Sequence, residues 1–483
     1  MLDDLSSAVA LDIVVVGGGI AGLASAYALQ QAGHNVRVLE KTDGRQRITR
    51  NDDRGKGTGG IRSPPNMTRI LDRWGMGQRL GDVAYKCGVV TLYEGCTGKL
   101  VGKIPLEQFA PQFGADLMFV QHGDLYEILY DFAIQAGVKV LFNTNVTGVD
   151  SGDVLVLDNK QRVDADVIIG ADGPRSIVRR DIGGDEPERS QTGYLTLTLT
   201  VPTATLDADD ELRCIWRDDD SQYRFWFGDG YCMHLASFRS GSQVSGTLVY
   251  PIDDNASSYN EGWSESYPLS HFKPDWEKFE PRLRKLLQQQ ERVTATVHFD
   301  NPDLESTLCD RSHVVLVGEA AYPALPSGQY KAAYAIEDAL TLGLLFARIT
   351  DRAQVPQVLC AYEEIRGTRS ASIVPREKEK RRLLSLPHGP EQEQRDTMWK
   401  HPHPSGEKWV DLDIVASSRL SSHDIEVYMY DAADAVQDWW STWGGLLDRH
   451  SPTKTGEKGP QSGVVISVSC DSKEDGCSFI REE

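Results

Sequence analysis

The chain has no C-x-x-C pair. Its eight cysteines (Cys87, Cys96, Cys214, Cys232, Cys309, Cys360, Cys470 and Cys477) lie scattered over 483 residues. That spacing indicates neither a metal site nor a dense disulfide framework, and it suits a reducing, cytoplasmic compartment. Positive charge is also scarce: 51 Lys and Arg stand against 71 Asp and Glu, a net charge of −20. Nucleic acids and anionic membranes select basic surfaces, so neither is expected as a partner. Nowhere do about 20 residues run continuously apolar, and Asp3, Asp4 and Asp12 stand where a secretion signal carries basic residues. Membrane insertion is therefore not expected. Internal repeats are missing as well. A small-molecule substrate is the partner these absences leave, and the length implies two or three structural lobes. The sequence does not address the oligomeric state.

What is present begins at Ile13–Glu40, IVVVGGGIAGLASAYALQQAGHNVRVLE. The apolar run Ile13–Val16 predicts a buried strand. Gly17, Gly19 and Gly22 then supply the tight turn, the close backbone approach and the close helix packing of a G-x-G-x-x-G dinucleotide fingerprint. The helix that opens there, through Ile20 and Ala21, directs free N–H groups toward a pyrophosphate. A second strand, Val36–Leu39, ends at Glu40, an acid placed to bond the ribose hydroxyls of a dinucleotide.

Further along, GGIRSPPNMTRIL (Gly59–Leu71) breaks at Pro64 and Pro65 before a helix, and a helix over Asp124–Gln135 precedes the strand Val138–Phe142. A second buried strand, Val167–Ile169, stops at a Gly-Ala-Asp-Gly turn that contains Asp172. Between Tyr194 and Phe299 the chain changes to short alternating runs, including Tyr194–Val201 and Gln222–Phe227, which predict an antiparallel sheet. A buried strand at His313–Gly318 and a long helix at Ala332–Ile349, carrying Glu337 and Asp338, return to the first lobe. The expected class is α/β: a Rossmann-like parallel sheet with helices, an antiparallel substrate domain and a helical C-terminal region. The expected domains are 1–180 with 301–395 for the dinucleotide, 181–300 for the substrate, 396–447 for C-terminal helices and 448–483 as a disordered tail.

With GGGIAGL and Glu40, GADGPRSIVR (Gly170–Arg179), VGEAAYPALPSGQYKAAYAIEDA (Val317–Ala339), LCAYEEIRGTR (Leu359–Arg369) and GPEQEQRD (Gly389–Asp396) in this order, the chain resembles the single-component FAD-dependent aromatic hydroxylases. The likeness is greatest to their salicylate-hydroxylase-like fungal branch, and it spans roughly residues 10–445. It implies FAD and NAD(P)H as cofactors and O₂ as co-substrate, with oxygen transferred to an electron-rich ring from a C4a-hydroperoxyflavin in a water-excluded cavity. By matching position it implies cofactor contacts at Gly17, Gly19, Ile20, Ala21, Gly22, Glu40, Gly60, His122, Asp172, Glu319, Pro323 and Lys331. No second G-x-G-x-x-G exists for a separate nicotinamide domain. His234 matches a substrate-binding histidine and is a candidate general base near neutral pH, although a histidine bonded within a sheet reads equally well. Arg224, Trp226 and Phe238 are further substrate-side candidates, with packing as their simpler role, as it is for Tyr223.

Several positions depart from the pattern of the resemblance. Glu319 replaces an Asp that bonds the flavin side chain, keeping the acceptor with one more methylene. Tyr322 replaces a His, and Gln329–Tyr330–Lys331 replaces a Gly-Gln-Gly that lets a helix approach the flavin. Lys331 offers a cation where reduced flavin gathers negative charge, or is simply an exposed lysine. His122 replaces an Arg, exchanging a fixed cation for a titratable one. Thr198 and Phe238 replace an Arg and a Tyr, which predicts a more apolar substrate cavity. The expected activity is hydroxylation, epoxidation or oxidative decarboxylation of a hydrophobic phenolic or secondary metabolite. The competing reading keeps the fold but not the redox cycle, leaving a cyclase or isomerase that works by acid–base chemistry at His234 or Glu319.

Overall fold

The computed structural model describes residues 6–44, 60–150, 154–183, 189–217, 223–238, 241–252, 266–302, 304–309, 313–323, 328, 330–400 and 422–445. The predicted tail, 448–483, and Gln329 lie outside the described residues. Continuous apolar runs form a five-stranded parallel sheet in the order Val314–Leu316, Val167–Gly170, Asp12–Val16, Asn35–Leu39, Lys139–Leu141. Strands covered on both faces have no polar side to show, which is why they read as unbroken Val and Ile. Asp12–Val16 is central, and the chain runs to one side of it first and to the other later. The carboxyl ends of neighbouring strands at such a reversal form the crevice where α/β sheets take ligands.

Two helices cover this sheet near its centre. Ile20–Gln31 buries most of its length, and Lys331–Phe346 is almost wholly enclosed. They pack so closely that a Cβ on Gly343 would lie 2.9 Å from the Ala28 Cβ. Arg366 and Arg369, from the long helix Val355–Leu384, reach the acids of the second helix: Arg366 Nη1 lies 2.8 Å from Glu337 and Nε 2.6 Å from Asp338, while Arg369 Nη2 lies 3.1 Å from Glu337. All four side chains are buried.

The second sheet has eight strands, in the order Ser266–Pro268, Arg292–Asp300, Ser190–Pro202, Gln243–Pro251, Cys232–Phe238, Tyr223–Phe227, Val90–Glu94, Leu100–Ile104. One face packs Leu195, Leu197, Met233, Leu235 and Leu248 beneath the helices Asp210–Arg217 and Pro281–Gln288. The other packs Tyr223, Phe225 and Phe238 against Tyr330, Tyr334, Ile373 and Tyr428. The boundary drawn at residue 180 needs correction here. Val90–Glu94 and Leu100–Ile104 come from the first stretch, yet they complete this sheet through parallel pairing of Val90–Glu94 with Tyr223–Phe227. No described helix is long and apolar enough to cross a membrane.

Candidate active site

At the carboxyl edge of the parallel sheet the loops converge. Gly17 takes φ +99°, and a Cβ there would sit 2.6 Å from the Ala171 carbonyl oxygen, so the first turn and the Gly-Ala-Asp-Gly turn touch. A Cβ on Gly22 would lie 1.9 Å from the Gly17 oxygen, which fixes how tightly the helix packs on the turn. Gly19 differs: nothing lies within 4 Å of its Cβ position, and it starts the helix Ile20–Gln31 with no side-chain cap. Uncapped N–H groups facing open space are what a pyrophosphate requires, so the residues present fit a dinucleotide at this end.

Glu40 lies at this edge, almost fully buried, but much of its bonding capacity is already used. Its Oε2 accepts from the Gly18 N–H at 2.7 Å, and its Oε1 accepts from the Thr42 N–H at 2.9 Å and hydroxyl at 2.7 Å. The acid therefore shapes the turn. Asp172 likewise accepts from the Ile177 N–H at 2.7 Å and from the Ser176 hydroxyl, at the start of the helix Ile177–Gly183. Burial raises its carboxyl above the ordinary range.

Gly318, at φ +58°, donates its N–H to Asp338 Oδ2 at 2.7 Å, so the buried Arg366–Asp338 pair also holds the turn that carries Glu319. Glu319 and Lys331 meet across this turn, Oε1 to Nζ 3.7 Å, each about one-third exposed. The two substitutions thus form one ion pair, with Lys331 as the first residue of its helix. Pro323 follows the same turn and is half-buried. His122 opens the helix His122–Gln135, directly after the strand Met118–Gln121. Gly60 pairs with Gln121 there, and a Cβ on it would strike the Phe238 ring at 1.9 Å. Phe238, only 1 % exposed, is therefore a wall between the lobes.

Strand parity divides the substrate-side candidates. His234 pairs with Phe225 and faces the first lobe, its ring 5.4 Å from Tyr223 and 5.6 Å from Phe225 between centroids. Arg224 and Trp226 point the other way. Arg224 lies over the Trp216 ring at 4.9 Å and donates to the Trp216 carbonyl, and the Trp226 indole donates to Glu280 Oε1 at 2.8 Å. These two belong to the outer core and not to the junction between the lobes. Burial, assisted by the nearby Arg62 cation, pushes the His234 imidazole down to about 3. It is neutral near pH 7.

Other elements deliver charge to the junction. Arg62, on the strand Gly60–Ser63, donates to the Tyr428 hydroxyl and lies 5.3 Å from the Tyr330 ring centroid. Tyr330 donates its hydroxyl to Asp424, which also receives Lys380 Nζ at 2.7 Å. Burial pushes the Asp424 carboxyl up, but Lys380 and Arg62 outweigh it and hold the group well below the carboxylate range. Two cations, one from a strand of the first stretch and one from the long helix, and one carboxylate thus meet at the junction.

A family model described as "FAD binding domain" matches residues 10–377. The chain belongs to this FAD-binding family. Among similar proteins, the FAD-dependent monooxygenase OpS4 of Beauveria bassiana (strain ARSEF 2860) is 28 % identical over 397 residues, covering 80 % of this chain and 88 % of its own. The 3-hydroxybenzoate 6-hydroxylase of Klebsiella oxytoca is 29 % identical over 399 residues, covering 80 % and 92 %. A salicylate hydroxylase substrate complex shares the fold at TM-score 0.71 and 18 % identity, covering 89 % of this chain and 98 % of that one. CtdE in complex with FAD and its substrate 4 gives 0.71 and 18 %, covering 91 % and 100 %.

In this FAD-binding protein the fingerprint glycines, Glu40, Asp172, Glu319 and Lys331 lie at one edge of the parallel sheet. Sequence reasoning missed Arg62, Lys380, Asp424 and Tyr428. Arg62 sits in GGIRSPPN, a stretch read for its prolines and for Gly60. Asp424 meets a partner 94 residues away, at Tyr330, and no local pattern marks such a pairing.

Proposed function

We propose that this FAD-binding protein is an NAD(P)H-dependent monooxygenase that hydroxylates a phenolic secondary metabolite between the parallel sheet and the eight-stranded sheet. The observation that carries the reading is the open, uncapped N-terminus at Gly19 beside the Asp172 and Glu319 turns. FAD, when bound, supplies the activation of oxygen. The chain's own residues do the rest. Gly19 and the helix N–H groups hold the pyrophosphate, Glu40 and Asp172 shape the walls of the crevice, and Lys331 carries positive charge at a helix start, where developing negative charge is stabilised. Neutral His234, stacked on Phe225, orients the substrate ring. Arg62 favours a phenolate oxygen; its hydrogen bond to the Tyr428 hydroxyl supports a phenol-binding role.

The test is oxygen transfer itself. Purified protein with FAD, NADH or NADPH and a panel of substituted phenols under ¹⁸O₂ is expected to yield product carrying one labelled oxygen, with reductant consumption that rises when the phenol is added. Reductant oxidised at one rate with or without every phenol, and no labelled product, would refute the proposal. Arg62→Leu is expected to raise KM for the phenol by about 10-fold or more, the worth of one charge-assisted hydrogen bond.

A further inference from the structure

We propose that Glu94, Cys96 and His388 form a three-ligand site for a zinc-class divalent cation, separate from the flavin crevice. Cys96 lies in the turn between the strands Val90–Glu94 and Leu100–Ile104, which Glu94 ends, and His388 lies just before the helix Pro390–Lys400. Their donor atoms all fall within 4.8 Å of one another. His388 Nε2 is 3.8 Å from Glu94 Oε1 and 3.8 Å from Cys96 Sγ. The first distance is too long for a hydrogen bond and the second is at the limit for sulfur. Ligands around a tetrahedral zinc, with bonds of 2.0–2.3 Å, stand roughly 3.3–3.7 Å apart, so the spacing suits a shared ion better than direct contact.

The surroundings hold these donors in place. Glu94 Oε2 accepts from both the Thr97 N–H at 2.7 Å and the Thr97 hydroxyl, while Oε1, the oxygen nearest His388, accepts the Cys96 N–H at 3.1 Å and keeps a lone pair for a cation. Asp229 accepts the backbone N–H of His388 at 2.9 Å, and its own backbone N–H is directed at Cys96. Asp229 is itself held by Lys278 Nζ at 2.8 Å. These contacts anchor the two backbone segments that carry the Cys96 and His388 donors. One carboxylate, one imidazole and one thiolate select zinc-like ions over magnesium or calcium. The Cys96 thiol gives up its proton to solvent as the S–metal bond forms, and a water completes the fourth position. The metal would tie the turn at Cys96 to the segment at His388, 292 residues apart, a pairing that cysteine spacing alone does not reveal.

The experiment uses the flavin-loaded protein, freed of metal by chelation and then titrated with Co²⁺ and with Zn²⁺. One equivalent of Co²⁺ is expected to give d–d bands of tetrahedral strength in the red, beyond flavin absorption, together with a thiolate charge-transfer band. Zn²⁺ should displace it and raise Tm. Cys96→Ser and His388→Ala are expected to weaken Zn²⁺ binding by about 100-fold and to abolish the thermal shift, with FAD content unchanged. His388 is 53 % exposed, so its truncation leaves the fold in place. Wild-type protein that binds no Co²⁺, or wild type and both variants binding alike through other thiols such as exposed Cys214, would overturn the proposal.

Discussion

Three glycines at one turn serve different purposes, and the distances around them say which. Gly22 has no room for a methyl group, because its Cβ would sit 1.9 Å from the Gly17 oxygen. Gly22→Ala is therefore expected to damage the fold itself, by roughly 1–3 kcal/mol of overpacking, measured by chemical denaturation of the FAD-free chain. Gly19 has φ −80° and open space, so Gly19→Ala should leave that stability within about 0.5 kcal/mol. Its FAD affinity should nevertheless fall by about 10-fold or more, because the methyl group enters the space reserved for the pyrophosphate. Equal effects of the two substitutions on the FAD-free chain would contradict this division. At the substrate face, parity was not legible at residue level. All five residues of Tyr223–Phe227 are buried, so no polar alternation marks which side chains face the first lobe.

Among elements, the Lys331–Phe346 and Val355–Leu384 helices are joined by the most consequential charges in the described protein. Burial pushes the Glu337 carboxyl up, but Arg369 and Arg366 outweigh it and lower the group below its ordinary range. Removing one partner leaves an uncompensated buried charge. Arg366→Met is thus expected to cost about 3–5 kcal/mol in urea denaturation and to loosen the Gly318 turn through Asp338. A cost below 1 kcal/mol would show that water or Arg369 compensates. The expected parallel strands and helices of this lobe lie within about three residues of their bounds, since buried parallel strands and a glycine fingerprint leave local marks, while the antiparallel strands between Val146 and Asp164 were not foreseen. Residues 90–104 were not, because their partner strand begins 133 positions beyond Val90 and pairing at that range leaves no periodicity to read.

For the whole molecule, pH is the natural probe, because His234 and His298 are each pushed down to about 3, chiefly by burial. Unfolded, each takes up a proton near pH 6.5; folded, neither does until far lower pH. The unfolded state then binds more protons, so stability is full above pH 6.5 and falls as pH drops toward 3, by up to about 1.4 kcal/mol per pH unit for each histidine. Urea midpoints of wild type and His298→Gln between pH 7 and 4 should converge on acidification, and parallel curves would rule this out. The general plan of two sheets meeting at one crevice was legible in the sequence. Charge at the junction was not, because Arg62, Lys380 and Asp424 come from three distant segments that only the fold assembles.

Everything at this crevice turns on its seating FAD. Its most direct test is titration of the FAD-free chain with FAD, following the visible spectrum and flavin fluorescence alongside circular dichroism. Saturation at one equivalent is expected, with a perturbed flavin spectrum and weaker binding in Gly19→Ala. A folded chain that leaves the flavin spectrum unchanged at excess FAD would contradict it.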